Sequence, residues 1–437
     1  MCFYEEAARK IKVSNEVDVL VLGSGPAGVS AAISAGREGV STMLIEQMGE
    51  VGGIATAGLM SHWTGHTEGG IYEEILDRSW EKLGSKDENV RGYERQVINP
   101  EKLKTVLLEM LAEANVQLQL YTFACEPIIE NNTIKGVIVE SKSGREAIYA
   151  KQIVDATGDG DIAAKAGVPF FKGREEDGKM QPVTIMFKVA GVDTTVAPLP
   201  GSFEDTYQIP AGDLQTLGRK YIPTPAGHVL LYKSTLPGIV TCNMTNCIGI
   251  DGTDVRDLTK ATYICREQMD IIVEFLRKIV PGFENCFLIS SASLIGVRET
   301  RHFQGESTIN ENEILEAKTC EDWAVAKALF NFDVHNLSGN GLDETGCQKE
   351  FTQKKGYCIP YGCFVPLKVD NLFLAGRNIS GTHIAHSNYR AMPICANMGQ
   401  SVGVAASICV KNKVTPRNLN VKTLQGRLME LGVDPAK

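Results

Sequence analysis

The stretch VDVLVLGSGPAGVSAAISAGREGVSTMLIEQ, Val17 to Gln47, decides the fold. An apolar run, a glycine turn, a helix rich in small residues and a second apolar run ending on an acid follow in the order of a βαβ dinucleotide-binding unit. Each glycine has a physical task. Gly23 permits the tight turn, Gly25 offers no side chain to block a pyrophosphate, and Gly28 lets the helix pack closely on the strand. Backbone N–H groups at the helix N-terminus face the phosphates, where unpaired donors and the helix dipole favour negative charge. Glu46 ends the second run, where a carboxylate reaches ribose hydroxyls. The small residues Ala27, Ala31, Ala32 and Ala35 mark the face of the helix that packs closely.

Composition sets the outer bounds. A chain of 437 residues suggests two domains. With 43% hydrophobic and 22% charged residues it reads as an ordinary globular protein. A net charge of -9 and a pI near 5.5 argue against nucleic acid or an anionic membrane as the main partner. The N-terminus carries early acids and no apolar signal core, so a cytoplasmic location is expected. Ala391 to Val410 is uncharged over a membrane-spanning length, but Pro393, Asn397 and Gln400 make it a buried helix. The 12 cysteines include no C-x-x-C pair, which points away from a zinc or iron–sulfur site. No metal is expected.

Along the chain, GEVGGIATAG forms a second glycine loop, and Asn99-Pro100 opens a helix. Alternating strands then return at IVDATGD. From about Gly167 the pattern changes to short strands and helices without a nucleotide signature, until DNLFLAGR restores a strand, a glycine turn and a small-residue helix. The expected fold is α/β. A discontinuous Rossmann-like nucleotide domain (13–166 and 367–412) holds an inserted α+β substrate domain (167–366), and 413–437 forms a C-terminal helix and tail.

GSGPAG with Glu46, the DATGDGD strand end and LFLAGR before a long helix together resemble the FAD-dependent oxidoreductases. The nucleotide domain is similar to that of glutathione reductase and, more closely, of the succinate dehydrogenase and fumarate reductase flavoproteins. GGIATAG, VRETRHFQGE and IPYGCFVP extend the likeness to a largely uncharacterised bacterial subgroup. The resemblance implies FAD as cofactor. It places Gly25, Pro26 and Ala27 on the pyrophosphate, Glu46 on the adenosine ribose, and Gly53 with its neighbours Gly52 and Ile54 near the ribityl chain, and it counts Gly23, Ser24, Gly28 and Gln47 among the cofactor-binding residues. Ala156, Thr157 and Gly158 border the nucleotide, and Gly376 and Arg377 form the second flavin motif. There Arg replaces the acid found in many relatives, which leaves the usual carboxylate contact to the ribityl hydroxyls without an obvious source.

Candidate chemistry follows from where a flavin lies on this fold. The helix starting at Met392 points its N-terminus at the flavin pyrimidine, with Arg390 adding positive charge. His62, His66, His383 and His386 sit on segments expected at the isoalloxazine edge, where an imidazole suits proton transfer, or covalent attachment of FAD as in some relatives. Arg298 and Arg301 flank Glu299. An extended backbone puts Glu299 and Arg301 on one face as an ion pair, and an Arg fork also suits a carboxylate or hydroxyl-rich substrate. Tyr361 is a further candidate for the site. Cys242 with Cys247 and Cys358 with Cys363 have the gap of a redox disulfide but not its place after the second glycine loop. The expected activity is hydride transfer between flavin N5 and a small polar molecule, with an unidentified electron acceptor. Alternatives are an electron-carrying flavoprotein and a tRNA- or thiazole-type flavoprotein on a related fold.

Overall fold

The computed structural model describes residues 3–80, 97–202, 205–343 and 355–435. Its main sheet contains β1 (Lys12–Leu22), β2 (Thr42–Ile45), β3 (Gln117–Gln119), β4 (Phe123–Glu130), β5 (Thr133–Ser141) and β6 (Gly144–Asp155) in the order β3-β2-β1-β6-β5-β4. β3, β2, β1 and β6 run parallel. The inner parallel strands read as continuous apolar runs because both faces are covered. On its side away from β1, β6 pairs first with β5 in an antiparallel meander and then, from Ile153, in parallel with Leu372–Leu374. The strand that restores the nucleotide pattern late in the sequence therefore joins the same sheet as Val17–Leu22.

Register brings the loops together. Leu22 is paired with both Ile45 and Asp155, and Asp155 with Leu374. The glycine turn, Glu46, Ala156 and Gly376 thus leave the sheet at one carboxyl edge, where ligands bind in open α/β sheets.

Helix α1 (Pro26–Arg37) starts at Gly25 with proline in its first turn and lies against the long helix Met392–Asn412. Glycines make the approach possible. A Cβ on Gly399 would come within 2.8 Å of the Ala27 carbonyl carbon, and one on Gly403 within 3.0 Å of the Ala31 backbone. Met392–Asn412 is long and apolar enough to cross a membrane, but 94% of its apolar window is buried inside the fold.

A second hydrophobic cluster forms around the antiparallel sheet Leu231–Lys233, Val240–Cys242, Phe187–Ala190 and Phe287–Ser291, in that order, beneath helix Val255–Ile279. It draws on Leu59 and on residues from Val183 to Ala292. The stretch from Phe303 to Val365, assigned by sequence to the inserted domain, packs instead with the first cluster through Ile309, Trp323, Val325, Ile359 and Phe364. Its strands Trp323–Ala328 and Tyr357–Pro360 pair with each other, and the first packs against the Met392 helix, which composition alone does not disclose.

Candidate functional site

The carboxyl edge of the sheet opens into a cavity of about 520 Å³, within the range of small-molecule sites. One end is lined by Gly23, Ser24, Gly25, Pro26 and Ala27, by Glu46 and Gln47, by Gly53 and Ile54, by Ala156 to Asp159, and by Gly376 and Arg377. Gly28 and Gly52 shape this end from behind. A Cβ on Gly28 would come within 2.9 Å of the Gly23 carbonyl carbon, and the Gly52 N–H donates to the Ser24 carbonyl at 2.8 Å.

The donors and acceptors here suit an adenine dinucleotide. A Cβ added at Gly25 would meet nothing within 4 Å, so the backbone beside the α1 N-terminus faces open space of the kind a pyrophosphate fills. Glu46 is buried, and its carboxylate accepts from the Ser24 N–H at 2.8 Å, the Ser24 hydroxyl at 2.7 Å and the Met48 N–H at 2.8 Å. These bonds fix the carboxylate against the glycine loop. At the other end of the nucleotide path, Ala391 and Met392 line the cavity at the start of the long helix. The first-turn N–H groups of a helix have no intrahelical partner.

Asp155 and Asp159 were not singled out by sequence. Asp155 is buried and accepts from the N–H groups of Thr157, Ile162 and Ala163. Burial pushes its carboxyl up to about 6, against the pull of these bonds. Asp159 holds Arg377 at 2.7 Å and the Thr300 hydroxyl at 2.5 Å, and both partners of the ion pair line the cavity. The carboxylate that residue 377 lacks is therefore present beside it. DATGDGD carried the signal as a run of acids at a strand end.

The far end of the cavity is built by the second cluster and the loops over it: Thr184, Tyr232, Asn243, Arg298, Asp333, His335 and Arg390. Arg390 donates to the Asp333 carboxylate at 2.9 Å and to its backbone carbonyl at 2.8 Å. Its charge is consequently offset by Asp333. Arg298 donates to the Pro182 carbonyl at 2.7 Å. Burial, followed by repulsion from Arg390, brings its guanidinium down to about 10. His335 Nε2 lies 3.4 Å from Asp333. Burial first, and then Arg298, lower its imidazole to about 4.

The histidines chosen from sequence lie elsewhere. None of His62, His66, His383 and His386 lines the cavity. His62 is buried edge-on against Tyr232, and burial lowers its imidazole to about 4. His66 is partly exposed, 3.7 Å from Glu68. The short helix His383–Tyr389 turns His383 and His386 inward, toward a buried hub at Glu299. The Glu299 carboxylate takes His383 Nδ1 at 2.5 Å and His302 Nε2 at 2.7 Å on one oxygen, and accepts the Gln181 N–H at 2.9 Å on the other. Burial alone would raise this carboxyl, but the two imidazoles hold it well below the usual range.

The expected Glu299–Arg301 pair is accordingly absent. The regular strand begins only at Arg301, whose guanidinium turns to Asp161 at 2.9 Å and to the face of Phe170, outside the cavity. Tyr361 is also remote, with its hydroxyl donating to the Pro416 carbonyl at 2.8 Å. Cys242, Cys247, Cys358 and Cys363 are all free thiols.

Comparison with known proteins agrees with this geometry. A digeranylgeranylglycerophospholipid reductase of Methanosphaerula palustris is 25% identical over 161 residues, 33% of this chain and 39% of that protein. The soluble pyridine nucleotide transhydrogenase of Hahella chejuensis is 30% identical over 146 residues, 32% of this chain and 30% of that protein. The match thus spans well under half the length of either relative. In overall fold the chain resembles a geranylgeranyl bacteriochlorophyll reductase-like protein from Thermoplasma acidophilum, with a TM-score of 0.52, 14% identity and coverage of 96% of this chain and 84% of that one. Residues 18–428 match the profile described as FAD dependent oxidoreductase, without singling out the succinate dehydrogenase branch. With the βαβ turn, the Glu46 clamp and the second flavin motif on one sheet edge, that match over nearly the whole length places the chain in the FAD-dependent oxidoreductase family.

Proposed function

We propose that the protein passes a hydride between a small polar organic molecule and FAD, with the molecule held at the Arg298–Asp333–His335–Arg390 end of the cavity. One observation carries the reading: a single cavity is lined both by the dinucleotide loops and by polar side chains supplied by other parts of the chain. When bound, FAD supplies the hydride acceptor or donor at N5. The chain supplies position and proton handling. Glu46, the glycine loop and the Met392 helix start anchor the two ends of the cofactor, leaving the polar pocket for a second molecule.

His335 is the group best placed to take or return the proton. It is neutral near pH 7, and Asp333 orients the ring and stabilises the charge gained on protonation. Arg390 holds Asp333 in place from the other side. Anaerobic titration of the FAD-loaded protein with a panel of polar metabolites tests the proposal. Bleaching of the flavin by one small molecule is expected. Reduction by a purified redox protein alone would show an electron carrier instead.

A further inference from the structure

The strongest unused feature is the charge balance of the polar pocket. Two guanidiniums, Arg298 and Arg390, line it together with a single carboxylate nearby, Asp333. Asp333 is bonded to Arg390. Among the described residues no carboxylate lies within ion-pair distance of Arg298, whose one side-chain hydrogen bond goes to the neutral Pro182 carbonyl. The adjoining acid, Glu299, is held by His302 and His383. The other arginines near the cofactor path are matched, Arg377 by Asp159 and Arg301 by Asp161. With His335 neutral, the pocket carries one uncompensated positive charge.

Two further polar atoms lack partners. Nε2 of the fully buried Gln181 is a donor with nothing to donate to, although its Oε1 accepts from the His335 N–H at 3.2 Å. Oδ1 of Asn243, in the cavity wall, is an acceptor with no donor, while its Nδ2 donates to the Tyr232 hydroxyl at 3.3 Å. Leaving a buried amide atom unsatisfied is costly, and a planar anion satisfies a guanidinium that faces a cavity, as that of Arg298 does, with two parallel bonds.

We infer that the pocket selects a substrate bearing a single carboxylate, which Arg298 binds, together with a hydroxyl or amino group that donates to Asn243. This inference rests on the reading of the protein as a flavoenzyme acting on a small molecule. It gives Arg298 the specificity role and leaves proton transfer to His335. A dianion brings more charge than the pocket balances, and a neutral polyol leaves Arg298 unpaired.

The test is direct binding to the FAD-loaded protein, followed by perturbation of the flavin visible spectrum with propionate, lactate and their amides, propionamide and lactamide. The acids are expected to bind and the amides to bind at least tenfold more weakly, with lactate tighter than propionate. Arg298→Met should weaken the acids at least tenfold with FAD retained, and Arg298→Lys should recover part of the loss. Asp333→Asn removes the negative charge beside Arg390 and should tighten the acids severalfold, a gain that damage to folding cannot produce. Equal binding of acids and amides, or acid affinity unchanged in Arg298→Met, overturns the inference. So does an Arg298→Met variant that shifts only the flavin midpoint potential, since the guanidinium then serves the cofactor. Silent acids with bleaching by a neutral polyol sink the carboxylate and keep the flavoenzyme reading. If no small molecule binds or bleaches while a redox protein reduces the flavin, both fall.

Discussion

Placing alanine at Gly399 and at Gly426 is the same chemical change in two helices, and the structure assigns it opposite signs. Gly426 lies within helix Val421–Glu430, where an added Cβ meets nothing within 4 Å. Alanine there gains helix propensity and restricts the unfolded chain, a stabilisation of about 0.5–1 kcal/mol. Gly399 faces α1. Its Cβ would lie 2.8 Å from the Ala27 carbonyl carbon and 2.9 Å from Ser30 Cβ, against a comfortable carbon–carbon separation of about 3.5–4.0 Å. Helix backbone has no rotamer to change, so the two helices must part by about 1 Å. Overpacking of this kind costs about 1–3 kcal/mol, which outweighs the propensity gain. Ala27 belongs to the first turn behind the glycine loop, so Gly399→Ala should also weaken FAD. Urea unfolding of both variants followed by circular dichroism, with FAD affinity by flavin fluorescence, checks the pair. If Gly399→Ala matches or exceeds the parent in stability, the close seam between these helices is wrong.

Glu46→Ala strands the Ser24 and Met48 donors and removes charge-assisted bonds of about 1.5–3 kcal/mol, so FAD should bind roughly ten- to hundredfold more weakly by ultrafiltration or fluorescence. His335→Ala should slow flavin reduction by about 10²–10⁴ with FAD still bound in stopped-flow experiments, whereas His62→Phe, outside the cavity, should reduce at the parental rate once folded. Stability should fall as pH drops below about 6.5. Burial lowers His62 and His335 to about 4 and His228 to about 3, and holds His386 well below the ordinary imidazole value, so the unfolded chain binds more protons across this window. Each histidine contributes about 1.4 kcal/mol per pH unit. Asp155, raised to about 6, opposes them with one proton between the two carboxyl pKa values. A urea midpoint no lower at pH 5 than at pH 7 would refute this balance.

The nucleotide half of the site was legible because its signals are local. Glycine spacing, an apolar strand on each side and an acid at the end of β2 all lie within Val17 to Gln47, and the register that joins them to Ala156 and Gly376 follows from strand pairing. Of the polar end of the cavity, sequence singled out only the arginines, Arg298 and Arg390. Asp333 and His335 lie in a stretch without helix or strand periodicity and acquire meaning from residues far away in sequence, such as Gln181, Arg298 and Arg390. The histidine expectation failed for a related reason. Proximity to a motif fixes where a residue sits along the chain, but the helical turn at His383–Tyr389 decides which way it points, and Glu299 waits on the inner side. Glu299 itself was misjudged by assuming extended backbone through Arg301, where the strand in fact begins.

Strand Leu372–Leu374 has a consequence for biosynthesis. It covers the carboxyl end of β6, Ile153 to Asp155, from the side opposite β1, and the helix that braces α1 comes later still. During synthesis β1, β2 and β6 emerge early and must wait, with the carboxyl end of β6 open on one side, while about half of the chain is made. An open apolar strand edge invites pairing with other chains. The Gly376 edge of the cavity is therefore completed late in synthesis, and a nascent chain that stops before Leu372 lacks it.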